Sequence, residues 1–338
     1  MTTMYVAATD DLVVVPDATG RPGARAALEG TAPACLASEP ERPEDVWCGT
    51  VRAGLWHSGD GGSSWERVHG PLEAASVSAL AVGQGAVYAG TDPSALFRSD
   101  DGGRSWEELR AMCELPSAPT WSFPPRPDTS HVRWIALDPE EPGLLYVCIE
   151  AGALLRSWDG GRTWHDRTSD GPYDTHTLHV HPLAPGRLYS AAGDGFMTRG
   201  RGFSESRDRG DTWERPDDGL DRNYLWGLAV DPADPETQVV SGAPSPQAAH
   251  AAPAGDSAVY QRSGGGAWRP VEGLPGPSGT TAPVLAAEPG EPGVFYAACN
   301  RGLYRSADGG LHWTAMPVDL VPFEGRQGRG VNSLLVTA

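Results

Sequence analysis

Apolar residues in this chain come in short runs, and Gly, Pro, Asp or Ser punctuates them every few positions. No long window keeps apolar residues at i, i+3, i+4 and i+7, so a helical period does not organise the sequence. The runs follow a four-part order instead. An apolar strand, A, leads into a turn that is often Asp-Pro or Glu-Pro. Strand B mixes aromatic and small residues, as in Val87-Tyr88-Ala89-Gly90, and strand C ends in Arg-Ser or an equivalent, as in Leu96-Phe97-Arg98-Ser99. A polar turn and a Trp then open strand D. The pattern predicts strands A at Ala34–Ser38, Val77–Val82, Val132–Asp138, Thr175–His181, Tyr224–Asp231 and Pro283–Glu288. Short strands separated by turn residues at this spacing read as sheet throughout.

The C–D turn is the most repetitive stretch. Ser58-Gly59-Asp60-Gly61-Gly62-Ser63-Ser64-Trp65 returns as Ser99–Trp106, Ser157–Trp164 and Ser206–Trp213, all of the form S-x-D-x-G-x-[ST]-W. A fifth copy, Ser306–Trp313, carries His312 where the others have Ser or Thr, and Ser263–Trp268 is a worn sixth without the Asp. Repetition at this period specifies a solenoid or a propeller. Six units follow, with two pieces left over. Met4–Thr9, Leu12–Val15 and Ala26–Glu29 have the order B, C, D, and Val331–Val336 reads as an unattached strand A. Joined, they make a seventh unit and remove the open sheet edges of a linear array. The expected fold is therefore an all-β, seven-bladed β-propeller in one domain, 1–338. Its blades lie near 331–338 with 1–30, 31–70, 74–110, 131–169, 174–216, 223–272 and 282–319. Six blades is the fallback count if the N-terminal unit is only an extension.

The repeated turn is that of the Asp-box, or BNR repeat, and box for box the chain resembles the Asp-box propeller superfamily. That superfamily includes sialidases, xyloglucan-cleaving glycosidases, sortilin-type receptors and a photosystem assembly factor. Within it, the chain resembles bacterial single-propeller proteins described as sialidase-like or glycosidase-like. The resemblance covers nearly the whole chain and implies a fold; the motif does not specify an activity. It also implies that Asp60, Asp101, Asp159, Asp208 and Asp308 serve the repeat unit, since identical residues around a ring belong to the scaffold. Sialidases combine an Arg triad, a Tyr–Glu pair, an Asp and an N-terminal F/Y-R-I-P motif on six blades. Arg52, Arg133, Arg222 and Arg301 offer arginines, but the motif is absent, the first Arg is Arg21, and the blade count differs. These departures argue against a true sialidase.

Composition narrows the function classes. Net charge is −18, which argues against nucleic acid as a partner. All 26 basic residues are Arg and none is Lys, which excludes Schiff-base chemistry, a Lys base and a P-loop Lys. The five cysteines form no C-x-x-C pair and mostly sit in apolar strands, so reduced buried thiols are expected, without disulfides or a zinc site. No apolar run is long enough to span a membrane. The N-terminus lacks a basic n-region and a small-residue cleavage site, and the expected location is cytoplasmic.

Three stretches exceed the repeat: Arg110–Ser130 between D and A, and Gly193–Phe203 and Ser241–Ser257 between B and C. D–A and B–C connections leave a propeller on the same face, opposite the boxes, so a functional mouth is expected there. Aligning strands A on Asp138, His181 and Asp231 places His131 level with Asp174, and Arg133 level with His176. Glu150 and Asp194 follow strands B on the same side, and His250 lies in the Ala/Pro-rich insertion. Imidazoles and carboxylates in one place suit acid/base work or a divalent metal. A merely polar, solvated rim is the plainer alternative. Strand alternation turns His179 and His181 away from His176.

The candidate catalytic residues are accordingly Glu150, Asp174, Asp194, His131 and His176, with His131 and His176 also the candidate metal ligands. Arg133, Arg222, Tyr224, Trp121, Tyr173 and His250 are candidates for substrate binding, the aromatic ones as stacking surfaces for a carbohydrate. Trp134 and Trp226 are expected to pack between blades. The leading expectation is a sialidase-like or glycosidase-like hydrolase or lyase, in the loose sense, acting on a small polar or carbohydrate substrate at the channel mouth, either with or without the help of a divalent cation. The rival is a non-catalytic scaffold binding a protein or peptide, to which an acidic surface would suit a basic partner.

Overall fold

A computed structural model of the chain describes residues 2–18, 23–123, 129–318 and 330–338. Within them the fold is an all-β, seven-bladed β-propeller built of seven antiparallel sheets. In chain order, the first sheet pairs Ser333–Thr337 (A) with Thr3–Ala7 (B), Leu12–Val15 (C) and Arg25–Ala27 (D). The second holds Pro33–Glu39, Arg42–Thr50, Leu55–Ser58 and Glu66–Arg67, and the third Ser76–Gly83, Ala86–Asp92, Leu96–Ser99 and Glu107–Glu108. The fourth and fifth have three strands each: Val132–Leu137, Leu145–Ile149 and Ala153–Ser157, then Thr175–Val180, Leu188–Ala192 and Phe203–Ser206. The sixth holds Tyr224–Asp231, Asp234–Ala243, Ala258–Arg262 and Arg269–Pro270, and the seventh Val284–Ala287, Phe295–Cys299, Gly302–Ser306 and Trp313–Ala315. The strand from the end of the sequence does join the first ones, in the register Thr3↔Thr337 to Ala7↔Ser333.

By internal contacts the chain divides into two compact units. One is Thr31–Ser190 with Glu205–Glu214; the other is Met1–Gly30, Ala191–Ser204 and Arg215–Ala338. In both, burial falls from strand B outward. Leu145–Ile149 and Phe295–Cys299 are buried at every position, which is why strands B read as unbroken apolar runs. Strands D such as Glu66–Arg67 and Glu107–Glu108 are exposed and only two residues long.

In the fourth and fifth blades strand D shrinks to one bridge, Arg156↔His165 and Glu205↔Glu214. Local chemistry ends each ladder. Asp166 accepts the N–H of Arg167 at 2.7 Å and that of Ser117 at 2.9 Å, and Pro216 has no N–H to give.

Each box closes on itself. Ser58 Oγ donates to Asp60 Oδ1 and accepts from the Gly62 N–H, both at 2.8 Å, while the Ser64 N–H and Oγ donate to the two Asp60 oxygens at 2.8 and 2.6 Å. The Gly at the fifth position of the box holds φ between +74° and +93° in all five copies, a region that costs other residues a Cβ clash. The worn copy closes through backbone and an arginine: the Gly266 N–H donates to the Ser263 carbonyl and Arg262 Nε to the Gly266 carbonyl, both at 3.0 Å.

The insertions are partly helical. Arg110–Glu114 and Ala118–Thr120 are 3-10 turns in the first, whose segment 124–128 lies outside the described residues. The second contains the helix Asp194–Met197; the third contains Pro246–His250, capped by Ser245, which accepts from the Ala248 N–H. All five cysteines are free; four are buried and Cys113 is exposed. Among the described residues no helix is long and apolar enough to cross a membrane.

Candidate functional site

The rim of the unit Thr31–Ser190 gathers charged side chains from three neighbouring strand ends. Glu150, directly after strand Leu145–Ile149, is its hub. Its N–H donates to the His131 carbonyl at 3.2 Å, which ties it to the start of strand Val132–Leu137. Its Oε2 lies 2.8 Å from His131 Nε2 and 3.6 Å from Arg133 Nε. Ala151 next to it turns to φ +48° and donates its N–H to Asp174 Oδ1 at 2.8 Å, while the Gly152 N–H reaches the Tyr173 carbonyl at 3.0 Å. The B–C turn of one blade is thus fastened to the approach of the next. Asp174 Oδ2 in turn lies 3.7 Å from Nε2 of the fully buried His176. The ligand atoms of Glu150, Asp174 and His176 all fall within 4.8 Å of one another.

Electrostatics make Glu150 the fixed anion of this group. Burial opposes its ionisation, but the His131 hydrogen bond and the charges of His176, His131 and Arg133 outweigh burial and hold its carboxyl at about 2. An ionised carboxylate only accepts, so His131 Nε2 carries the proton toward it. In the neutral ring Nδ1 is then a bare lone pair, and it is buried with no hydrogen-bond partner. The Phe123 ring meets the imidazole edge-on, with centroids 4.8 Å apart.

The rim therefore brings together Glu150, Asp174, His131, His176 and Arg133 and leaves other candidates elsewhere. The metal-ligand expectation changes partner: Glu150 and Asp174 stand with His176 at ligand spacing, whereas His131 Nε2 is engaged by Glu150. Trp121 is corrected from stacking surface to core. The 3-10 turn Ala118–Thr120 turns it inward, its Nε1 donates to Ser117 Oγ at 2.9 Å, and 7% of it is exposed. Tyr173 keeps an exposed ring, with the Arg167 guanidinium 5.3 Å above it.

Asp194, Arg222, Tyr224 and His250 belong to the other unit. Asp194 opens the short helix there, half-buried. Tyr224 OH lies 3.1 Å from His250 Nε2, and the His250 ring packs 4.2 Å from Trp226. Arg222, expected to hold an anionic group, is instead enclosed: it donates to Asp256 Oδ1 at 2.8 Å, Asp221 Oδ1 at 2.9 Å and Tyr260 OH at 3.3 Å. Two neighbouring carboxylates already answer its charge. The adjacency of Asp221 and Arg222 was a usable signal in the sequence; Asp256 and Tyr260, more than thirty positions away, carried none.

No protein-family model matches the chain, and no curated protein does. Solved structures do match, as folds. The GH74 xyloglucanase from Xanthomonas campestris aligns at TM-score 0.66 and 15% identity, over 93% of this chain and 52% of its own. The GH74 enzyme from Niastella koreensis aligns at TM-score 0.63 and 15% identity, over 92% of this chain and 53% of its own. The chain spans about half the length of these enzymes. YCF48 bound to D1 peptide aligns at TM-score 0.59 and 18% identity, over 90% of this chain and 92% of its own. At such identities the likeness carries the fold alone.

Proposed function

We propose that the chain is a glycosidase-like Asp-box propeller enzyme, in the broad sense of a hydrolase acting on a small polar substrate, with its reacting groups on the Glu150 rim. The observation that carries this reading is the convergence of two imidazole–carboxylate pairs, His131–Glu150 and His176–Asp174, on one set of strand ends. The scaffold carboxylates of the boxes recur in five of the seven blades; these do not recur. Glu150 stays anionic and fixes the His131 ring, so that Nδ1 is left as the ring's base; a local opening of its buried position would let it take a proton from an attacking water. Arg133 balances the Glu150 charge. Phe123 covers the His131 ring and limits water around it. The likeness to GH74 enzymes supports carbohydrate as the substrate class.

One imidazole and two carboxylates are a donor set that divalent cations accept. Their spacing, within 4.8 Å, fits once the side chains close modestly around the ion. Glu150, Asp174 and His176 would hold it, and when bound it would supply Lewis acidity and a more acidic water.

Manganese(II) titration followed by electron paramagnetic resonance, alongside turnover of a panel of aryl glycosides, tests both parts. We expect one site per chain that disappears in Asp174→Ala, and turnover that falls by about 100-fold or more in His131→Ala. A chain that takes up no cation and whose turnover is the same in His131→Ala would overturn the reading.

A second reading, a scaffold for a basic peptide, has its own observation. Phe196 and Met197 on the second insertion are 51% and 83% exposed on a chain of net charge −18. The YCF48 structure shows a peptide bound to a propeller of comparable length. Peptide capture unaffected by changes at Glu150 and His131, but lost in Phe196→Ser, would favour it.

A further inference from the structure

A cavity of about 360 Å³ opens in the unit that carries the chain ends, bounded by Asp221, Arg222, Tyr260, Leu274, Pro275 and Pro277. It is separate from the Glu150 rim, and nothing above gives it a role. Its two walls differ. The connection Leu274-Pro275-Gly276-Pro277, with Val259 and Val271, forms an apolar side. Proline rings fix the backbone there, so the wall is stiff before any ligand arrives. Asp221, Arg222 and Tyr260 make the charged part of the lining, and their mutual bonds hold them in one arrangement.

That charged side selects by sign. The Arg222 guanidinium is pinned between Asp221 Oδ1 and Asp256 Oδ1, and 18% of its side chain is exposed. Tyr260 OH also donates to Asp221 Oδ1. These bonds occupy one oxygen of each carboxylate. The second oxygens, Asp221 Oδ2 and Asp256 Oδ2, accept no hydrogen bond among the described residues, and the two side chains are 72% and 45% exposed. One arginine against two aspartates leaves one negative charge in excess. Of the two, Asp221 lines the cavity, so an incoming anion would meet its carboxylate beside an arginine already satisfied, whereas an incoming cation finds a free acceptor there. The Tyr260 bond and the Arg222 charge keep the Asp221 carboxyl below its ordinary range, so this acceptor is ionised at neutral pH.

We propose that this cavity binds an organic cation on an aliphatic stem, an ammonium or guanidinium group whose head pairs with Asp221 while the stem lies along Leu274, Pro275 and Pro277. Lysine and arginine side chains have this form, and so do free aliphatic amines. Long cationic side chains bury their methylenes on apolar surface and keep the head group at a polar edge, which is the layout of these two walls. A chain of net charge −18 draws such ligands toward it from a distance.

The test is ligand-observed NMR titration of the full chain with n-butylammonium, butyrate and butanol, three probes of equal stem and different head. Butylammonium is expected to bind more tightly than either of the others. Its affinity should fall about tenfold in Asp221→Asn, the scale of one charge-assisted hydrogen bond. Leu274→Ser should weaken it by removing apolar wall while leaving the charges in place. N-acetyl-lysine methylamide separates the two sources: tighter binding than butylammonium assigns the cavity to peptide side chains, weaker binding assigns it to free amines. Butyrate binding as well as butylammonium, or an unchanged affinity in both folded variants, would overturn the proposal.

Discussion

Asp101 in the third blade's box and Glu150 on the rim both have carboxyls pulled down to about 2, by opposite routes. Asp101 is exposed and answered locally: the Ser105 hydroxyl, the Ser105 N–H and the Ser99 hydroxyl supply its hydrogen bonds, all within the turn. Glu150 is buried, which works against its charge, and is rescued by His131, 19 positions upstream, and by His176 and Arg133. The first arrangement needs only a short sequence and recurs in blade after blade. The second needs two blades to be folded and does not recur with the boxes. A depressed carboxyl is therefore no mark of a site by itself; its partners' separation along the chain tells scaffold from candidate site.

The largest expected effect comes from Glu150→Gln, which keeps the side chain's shape and removes its charge. Arg133 and His131 are then left facing a neutral amide in a nearly closed space. Breaking one side of a buried ionic group costs about 3 kcal/mol, and we expect a loss of that order in guanidinium-induced unfolding. A loss no greater than that of Asp101→Asn would erase the distinction between the two carboxylates.

A smaller and more uniform effect is expected in the boxes. Ser58, Ser99, Ser157, Ser206 and Ser306 are all buried, and each joins the box Asp to the backbone N–H four positions on. Each Ser→Ala replacement removes one hydroxyl from a closed turn and should cost about 1 kcal/mol. Five near-equal values would confirm interchangeable scaffold. One outlier would point to a box with a further duty.

These contrasts also explain what could be read in advance. The blades were legible because Ser99 to Trp106 and its copies are local, and local chemistry repeats in the sequence as it does in space. The A-strand alignment likewise brought His131, Arg133, Asp174 and His176 level, because register is a property of strands. Glu150 as their hub was not legible as such. It depends on Ala151 taking a positive φ and donating to Asp174, a turn that no residue type announces. Trp121 was misplaced for a related reason, since the 3-10 turn directly before it decides which way the ring faces. Arg222 shows the limit most plainly. Its partner Asp256 lies 34 positions away, so its charge read as available when it was already met.

The fifth box offers the finest test, because His312 there replaces the hydroxyl that makes Asp101 a purely local case. His312 Nδ1 lies 2.6 Å from Asp308 Oδ2, and that hydrogen bond, the Asp308 charge and, after them, Glu272 raise the imidazole's pKa. A raised folded-state value means the pairing stabilises fully below the unfolded pKa of about 6.5 and is lost as pH rises through the folded value. The side chain is 67% exposed, so the effect is small and screened by salt. His312→Thr restores the ordinary box and removes the titration. The wild-type melting temperature should therefore fall slightly from about pH 6 to about pH 8 relative to this variant, and the difference should fade in about 1 M salt, where the screening length is about 3 Å. Identical pH slopes in the two proteins would mean that the box satisfies Asp308 through its backbone alone, with the imidazole a bystander.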